Sequence, residues 1–122
     1  MIVDLPSGKW HHQRYEHNYD ANRILTKKSR GFLDWEITTL FYSALHLVDL
    51  QLAKMPLGGG IHPTSHSERR KDVGKNLDIV TAKNYNILYL LSRKARYEES
   101  KISQSEVRNA MEKYQDMVKR LS

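Results

Sequence analysis

Cysteine is absent from the 122 residues. Disulfides, thiolate zinc sites, iron–sulfur clusters and cysteine nucleophiles are therefore excluded, and a reducing cytoplasm is the expected location. Long apolar runs are lacking too. No segment approaches the ~20 apolar residues of a membrane helix; the most apolar stretch, Ile37 to Leu52, is interrupted by His46 and Asp49. The first ten residues contain no apolar stretch, so no signal peptide is expected. Three catalytic or phosphate motifs are missing. Gly58-Gly59-Gly60 has no Gly-Lys pair downstream and so is not a phosphate loop, and neither a Gly-x-Ser-x-Gly elbow nor a His-Glu-x-x-His zinc motif occurs. Strand alternation and internal repeats are also absent.

What is present suits one small domain spanning residues 1–122. A chain of this size buries roughly two-thirds of its unfolded surface, enough for a single core. Hydrophobic residues make up 39% and charged residues 28%, which fits a thin core under a wide solvated surface, as in a small helical bundle. The net charge of +6 is uneven: residues 1–61 carry 7 Lys/Arg against 6 Asp/Glu, and residues 62–122 carry 13 against 8. A basic half suits polyanions such as RNA or nucleotides. The plainer reading is a solvated, slightly basic surface with interspersed acids.

Periodicity predicts an all-α, up-and-down bundle of four to five helices. Residues 1–9 read as an irregular lead-in, because Pro6 and Gly8 argue against helix. A first helix is expected from Trp10 or His12 to Ser29, with Tyr15, Asn18/Tyr19, Asn22 and Leu25/Thr26 at helical spacing, basic residues at its end and Gly31 as its stop. The second runs from an Asp34 cap to Lys54, with Ile37, Phe41, Ala44, Leu45, Val48 and Leu52 as its apolar stripe. Met55-Pro56 and the glycine triplet break it. Ser65-x-x-Glu68 and Ser103-x-x-Glu106 match the capping box. They open a short third helix, ending near Leu77 and weakened by Gly74, and a fifth with Val107, Ala110/Met111, Tyr114, Met117/Val118 and Leu121 inward. A fourth helix spans Thr81 to Tyr97, with Tyr85, Leu88, Leu91/Ser92 and Ala95 inward.

Three polar groupings can carry chemistry. Tyr42, His46 and Asp49, spaced four and three apart, share one face of the second helix. A His46–Asp49 contact can fix an imidazole tautomer for base chemistry or metal ligation; alternatively the histidine is simply satisfied at the core margin. His62 and His66 are four apart, but Pro63 and the Ser65 cap place His62 in a loop. If the glycine loop folded both toward His46, three histidines would suit zinc, yet nothing in the spacing requires this, and no metal or cofactor is assigned. Arg93, Arg96 and Tyr97 lie on one helical face, either as a phosphate- and base-stacking surface or as cations favoured at a helix C-terminus. His11, His12 and His17 read as surface residues.

In this order the pieces resemble HEPN-like domains (higher eukaryotes and prokaryotes nucleotide-binding). The run Asp34-Trp35-Glu36-Ile37-Thr38-Thr39-Leu40-Phe41-Tyr42-Ser43-Ala44-Leu45-His46 is similar to their second helix. His62-Pro63 through His66 and Arg69 is similar to the linker and third helix of a subgroup. Ser92-Arg93 through Arg96-Tyr97, then Ser103-x-x-Glu106 and Ala110, is similar to the last two helices. The likeness spans roughly residues 10–120. It implies an up-and-down bundle, often dimeric, associated with nucleotide or RNA binding. Many members are metal-independent ribonucleases or toxins acting with a nucleotidyltransferase-type partner, and these carry an Arg followed after four to six residues by His. This sequence departs from that: Glu98, Glu99 and Ser100 follow Arg93 at those positions, and Lys101, Ile102 and Ser103 follow Arg96. The resemblance therefore points to a non-catalytic subgroup.

The expected function is a homodimeric module that binds RNA or a nucleotide, with Arg69, Arg70, Arg93 and Arg96 on phosphate and Tyr97 stacking. Two rivals stand beside it. One is a ribonuclease or other phosphodiesterase with His46 or His66 as general base and Arg69 or Arg96 stabilising the developing charge; it needs both histidines in one cleft. The other is a structural domain that docks a protein partner.

Overall fold

The computed structural model describes residues 8–28, 32–56, 58–97 and 101–122. They form α1 (Gly8–Lys28), α2 (Leu33–Ala53), α3 (His66–Asn76), α4 (Ile79–Tyr97) and α5 (Gln104–Leu121). No strand occurs among them, and no helix among them is long and apolar enough to cross a membrane.

The sequence of α2 explains the architecture. Its apolar stripe is flanked by Leu40, Leu47 and Leu50, so that 13 of its 21 residues are buried. A helix apolar on several sides must be enclosed, and α2 packs against α1, α3, α4 and α5. Residue pairs give the directions. His11 meets His46, Tyr15 meets Ser43 and Asn22 meets Glu36, so α1 runs antiparallel to α2. Ser43 meets Tyr114 and Gln51 meets Leu121, so α5 runs parallel to α2. Lys94 meets Glu106 and Asn84 meets Asp116, so α4 runs antiparallel to α5. The four long helices thus alternate up and down, with the short α3 inside the α2–α4 connection. Phe41, Tyr85, Leu88, Tyr114 and Met117 fill the centre.

Local signals account for the helix ends, with four departures from expectation. α1 begins at Gly8, so Gly8 and Lys9 are helical rather than part of an irregular lead-in; the remaining lead-in residues and the expected stop at Gly31 lie outside the described residues. Asp34 is not the cap of α2. Phe32 occupies that position without a side-chain hydrogen bond, and Asp34 lies in the first turn, where its charge favours the helix dipole. The Ser103 capping box of α5 is complete, but that of α3 is half formed. Ser65 accepts from the Glu68 N–H at 3.0 Å, while the Glu68 carboxylate accepts from the Thr64 hydroxyl instead. α4 starts two residues before Thr81, because Asp78 accepts from the Thr81 N–H at 3.0 Å and acts as its cap.

The glycine loop closes against the end of α2. Gly58, Gly59 and Gly60 all have positive φ, and the Ile61 N–H caps α2 by donating to the Leu52 carbonyl at 2.9 Å. A Cβ on Gly60 would collide with the Ala53 backbone. Gly74 is the opposite case: it sits inside α3, exposed, and a methyl group there would meet nothing within 4 Å.

These two glycines should respond oppositely to substitution. Gly74→Ala should stabilise the protein by about 0.5–1 kcal/mol, the usual gain when helical glycine becomes alanine, read as a rise in thermal midpoint. Gly60→Ala should lower the midpoint, since it adds left-handed strain to a backbone collision. Equal midpoints for the two variants would contradict this account.

Candidate functional site

The first turn of α1 places Trp10 and His11 against the fourth turn of α2. His11 is only 5% exposed. Its Nδ1 lies 3.2 Å from Nδ1 of His46, and the Trp10 ring meets both imidazoles edge-on with centroids 5.1 Å away. A hydrogen bond between two neutral imidazoles requires one donor and one acceptor. One turn further along α2, Asp49 is held by Arg69 of α3, with Nε donating to Oδ1 at 2.7 Å and Nη2 to Oδ2 at 3.1 Å. Asp49 is buried and Arg69 half-buried, so the pair is a two-pronged, largely enclosed ion pair. Together with His62 from the glycine loop, these groups line a cavity of about 180 Å³ walled by Trp10.

Burial governs the charge of this cavity. It pushes His46 down to about 4, helped by His11, Arg14 and Arg69. Burial lowers His11 as well, against the opposing pull of Asp49. Both rings are therefore neutral near pH 7. One nitrogen of each of His11 and His46 and one oxygen of Asp49 lie within 4.8 Å of one another.

A second arrangement lies where α3 and α4 approach α2. Arg96 is set among three rings: its guanidinium carbon lies 5.0 Å from the Tyr97 centroid, 5.4 Å from Tyr42 and 5.8 Å from Phe41. Nη1 donates to the Tyr42 hydroxyl at 2.8 Å and Nε to the Ser92 carbonyl at 3.3 Å. Arg70 stacks on Tyr89 at 4.5 Å, and Arg93 lies 5.6 Å from the Tyr97 ring. His66 packs against Phe41 and Tyr89. Burial lowers its pKa, followed by the repulsion of Arg69, Arg96, Arg70 and Arg93. The exposed Trp35 borders a hollow of about 180 Å³ that it shares with Arg96 and Asp34.

The sequence grouping of Tyr42, His46 and Asp49 on one face holds only as far as the helix surface. Each side chain goes to a different helix: Tyr42 to Arg96 of α4, His46 to His11 of α1 and Asp49 to Arg69 of α3. Asp49 thus orients the arginine and makes no hydrogen bond to His46. Arg69 is bound to Asp49 and lines the histidine cavity, apart from the Arg70–Tyr89 stack. Arg93, Arg96 and Tyr97 do come together as the spacing implies. His62 joins the cavity of His46; His66 is not among its lining residues.

His11 is the main residue that sequence reasoning missed, since it reads as a surface residue there. The signal was available: extending the inward series Tyr15, Asn18/Tyr19, Asn22 back by four residues lands on His11. An irregular lead-in through Lys9 concealed it. Tyr89 and Trp35 were also unassigned; their partners, Arg70 and Arg96, come from other helices.

The depressed His46 pKa sets a pH dependence. The unfolded chain protonates this ring below about 6.5, whereas the folded protein, with the ring facing His11, Arg14, His62, Asp49 and Arg69, resists protonation until about pH 4. Between those values the unfolded state binds more protons, so stability is lost as pH falls. In EDTA, thermal midpoints should drop from pH 7 to pH 4.5, and His46→Gln should flatten that slope; parallel slopes for the two proteins would refute the assignment. Compared with known proteins, the chain matches no family model, no curated protein and no solved structure.

Proposed function

We propose that the protein is a non-catalytic RNA-binding module whose contact surface is the arginine–tyrosine face of α3 and α4. The observation that carries this reading is the state of Arg96. A guanidinium has five N–H donors, and the contacts of Arg96 to Tyr42 and Ser92 occupy two of its nitrogens. No carboxylate among the described residues lies within ion-pair distance of Arg96 or Arg70. Both guanidinium groups are instead oriented by aromatic rings. Cations held by aromatic rings beside exposed Tyr97 and Trp35 combine phosphate contact with base stacking, the two components of single-strand binding.

The shape of the surface favours a strand over an enclosed small molecule. The hollow beside Arg96, about 180 Å³, is below the ~300 Å³ at which small-molecule pockets begin. The resemblance to HEPN-like domains supports the same class of ligand. It alone supports two further parts of the proposal, a homodimer and a nucleotidyltransferase-type protein partner. A nucleotide ligand would use the same arginines, and competition by free nucleotide distinguishes it from RNA. The phosphodiesterase reading is weaker, because His46 is spent on His11 and neutral His66 packs against Phe41 and Tyr89.

Binding of a single-stranded RNA, measured by fluorescence anisotropy across a salt series, should weaken steeply with salt. Replacing Arg70 and Arg96 with alanine should reduce the log–log salt slope by about 0.7 for each phosphate contact removed. Tyr97→Ala should weaken binding with little change in that slope. Salt-independent binding, or an unaltered slope in the double variant with a native thermal midpoint, would overturn the proposal.

A further inference from the structure

We propose that the cavity between α1 and α2 is a site for a borderline divalent transition-metal ion such as zinc(II), ligated by Nδ1 of His11, Nδ1 of His46 and a carboxylate oxygen of Asp49. The strongest observation is the spacing of the two nitrogens. Imidazole nitrogens bound to zinc at about 2.0–2.1 Å with tetrahedral angles lie about 3.3 Å apart. The Nδ1 atoms of His11 and His46 are 3.2 Å apart, already at the separation a shared ion imposes. One nitrogen of each ring and one Asp49 oxygen lie within 4.8 Å of one another, so a small inward shift of the three side chains brings them onto one ion.

The supporting residues fit the same chemistry. Ring position is fixed by Trp10, packed edge-on against both imidazoles. Arg69 fixes the carboxylate through one hydrogen bond to each oxygen, and each oxygen retains a second lone pair for an ion. This is the outer-partner arrangement typical of metal ligands. Its positive charge also opposes a cation, which makes the site weaker than one with an unpaired carboxylate. His62 lines the same cavity but lies outside this three-residue group. Its Nε2 lies 2.8 Å from the Gly59 carbonyl oxygen, which only accepts, so Nε2 carries the proton and Nδ1 of the neutral ring has a free lone pair. A histidine whose second nitrogen donates to a backbone carbonyl is the usual form of a metal-bound one.

Ligand type selects the ion. Two imidazoles and one carboxylate favour zinc, copper, nickel or cobalt over calcium and magnesium, which take mainly oxygen ligands. Size agrees, because a cavity of about 180 Å³ holds an ion with its water but lies below the range of small-molecule pockets. Proton balance is simple. In the metal-free pair one ring donates from Nδ1; on binding, that proton moves to Nε2 of the same ring, both Nδ1 lone pairs face the ion, and the histidines release no net proton.

The test uses full-length, tag-free protein stripped with EDTA. Zinc(II) titration by calorimetry should show one equivalent bound per chain. Cobalt(II) should give the intense visible absorption of low coordination number and be displaced by zinc. His11→Gln and His46→Gln should each weaken zinc binding by more than about tenfold, a loss at least equal to that on removing a supporting outer-shell partner. A combined His12→Gln/His17→Gln variant should bind as the unaltered protein does. Histidine 15N spectra of the unaltered protein remove any dependence on folding of the variants: zinc should move the Nδ1 resonances of His11 and His46. Absence of stoichiometric binding, undiminished binding in folded His11→Gln, or shifts confined to His12 and His17 would each overturn the proposal.

Discussion

Enclosure of α2 is the constraint on which the bundle depends. A helix buried on most of its circumference shields its polar side chains from water, and several of them find partners on a neighbour. Ser43 reaches the Tyr15 carbonyl of α1 and the Tyr114 hydroxyl of α5. Asp49 takes Arg69 of α3, Tyr42 takes Arg96 of α4, and the Glu36 carbonyl accepts from Asn22 of α1. Apolar contact alone would tolerate sliding and rotation of these helices. A directional bond to every neighbour selects one register for each. Removing one partner of a buried ion pair typically costs about 3–5 kcal/mol, against a total of about 5–15 kcal/mol for a domain, so Asp49–Arg69 alone can decide whether α3 docks.

Much of this fold was legible in the sequence, for identifiable reasons. The inward positions of α4 and α5 followed from one-sided periodicity, and Tyr85, Leu88, Tyr114 and Met117 are buried as that periodicity implies. The Ser103–Glu106 box is local chemistry and was readable as such. By contrast, α2 revealed only part of its burial, because a stripe analysis looks for one face and α2 is enclosed on several. The start of α1 was misplaced, because Gly8 is a poor helix former whose position is decided by packing on α2, where a Cβ would meet Leu50. The candidate site was the least legible part. Its pairs join residues 20, 35 and 54 positions apart, and no local rule connects such distances. Spacing identified Arg93, Arg96 and Tyr97 because they share a helix; for His11 it indicates burial once α1 is extended back to Gly8, but not the partner on α2.

Arg69 and Arg70, adjacent in sequence, divide the molecule electrostatically. Arg69 turns inward and is neutralised by Asp49 beside the histidine cavity. Arg70 turns toward Tyr89 and keeps its charge available. One helical step therefore separates an arginine in an ion pair from one with no ion pair among the described residues. The proposed metal ion and the proposed RNA surface thus meet neighbouring faces of one short helix, α3, about 100° apart, and the charge of Arg69 acts on both His46 and His66.

The hydroxyl of Ser43 carries a single hydrogen, which goes to the Tyr15 carbonyl at 2.9 Å. The 2.7 Å contact with Tyr114 must therefore be donated by the tyrosine. The three helices are thus joined by a hydrogen-bond relay with one permitted polarity, from α5 through α2 to α1, anchored where the Tyr19 and Tyr114 rings stack 5.4 Å apart. The two ends of the relay are not equivalent. Losing the phenol leaves one lone pair of the serine unfilled, whereas losing the serine hydroxyl removes a bond to each of two neighbouring helices. At position 43 of α2, size alone therefore cannot specify a replacement.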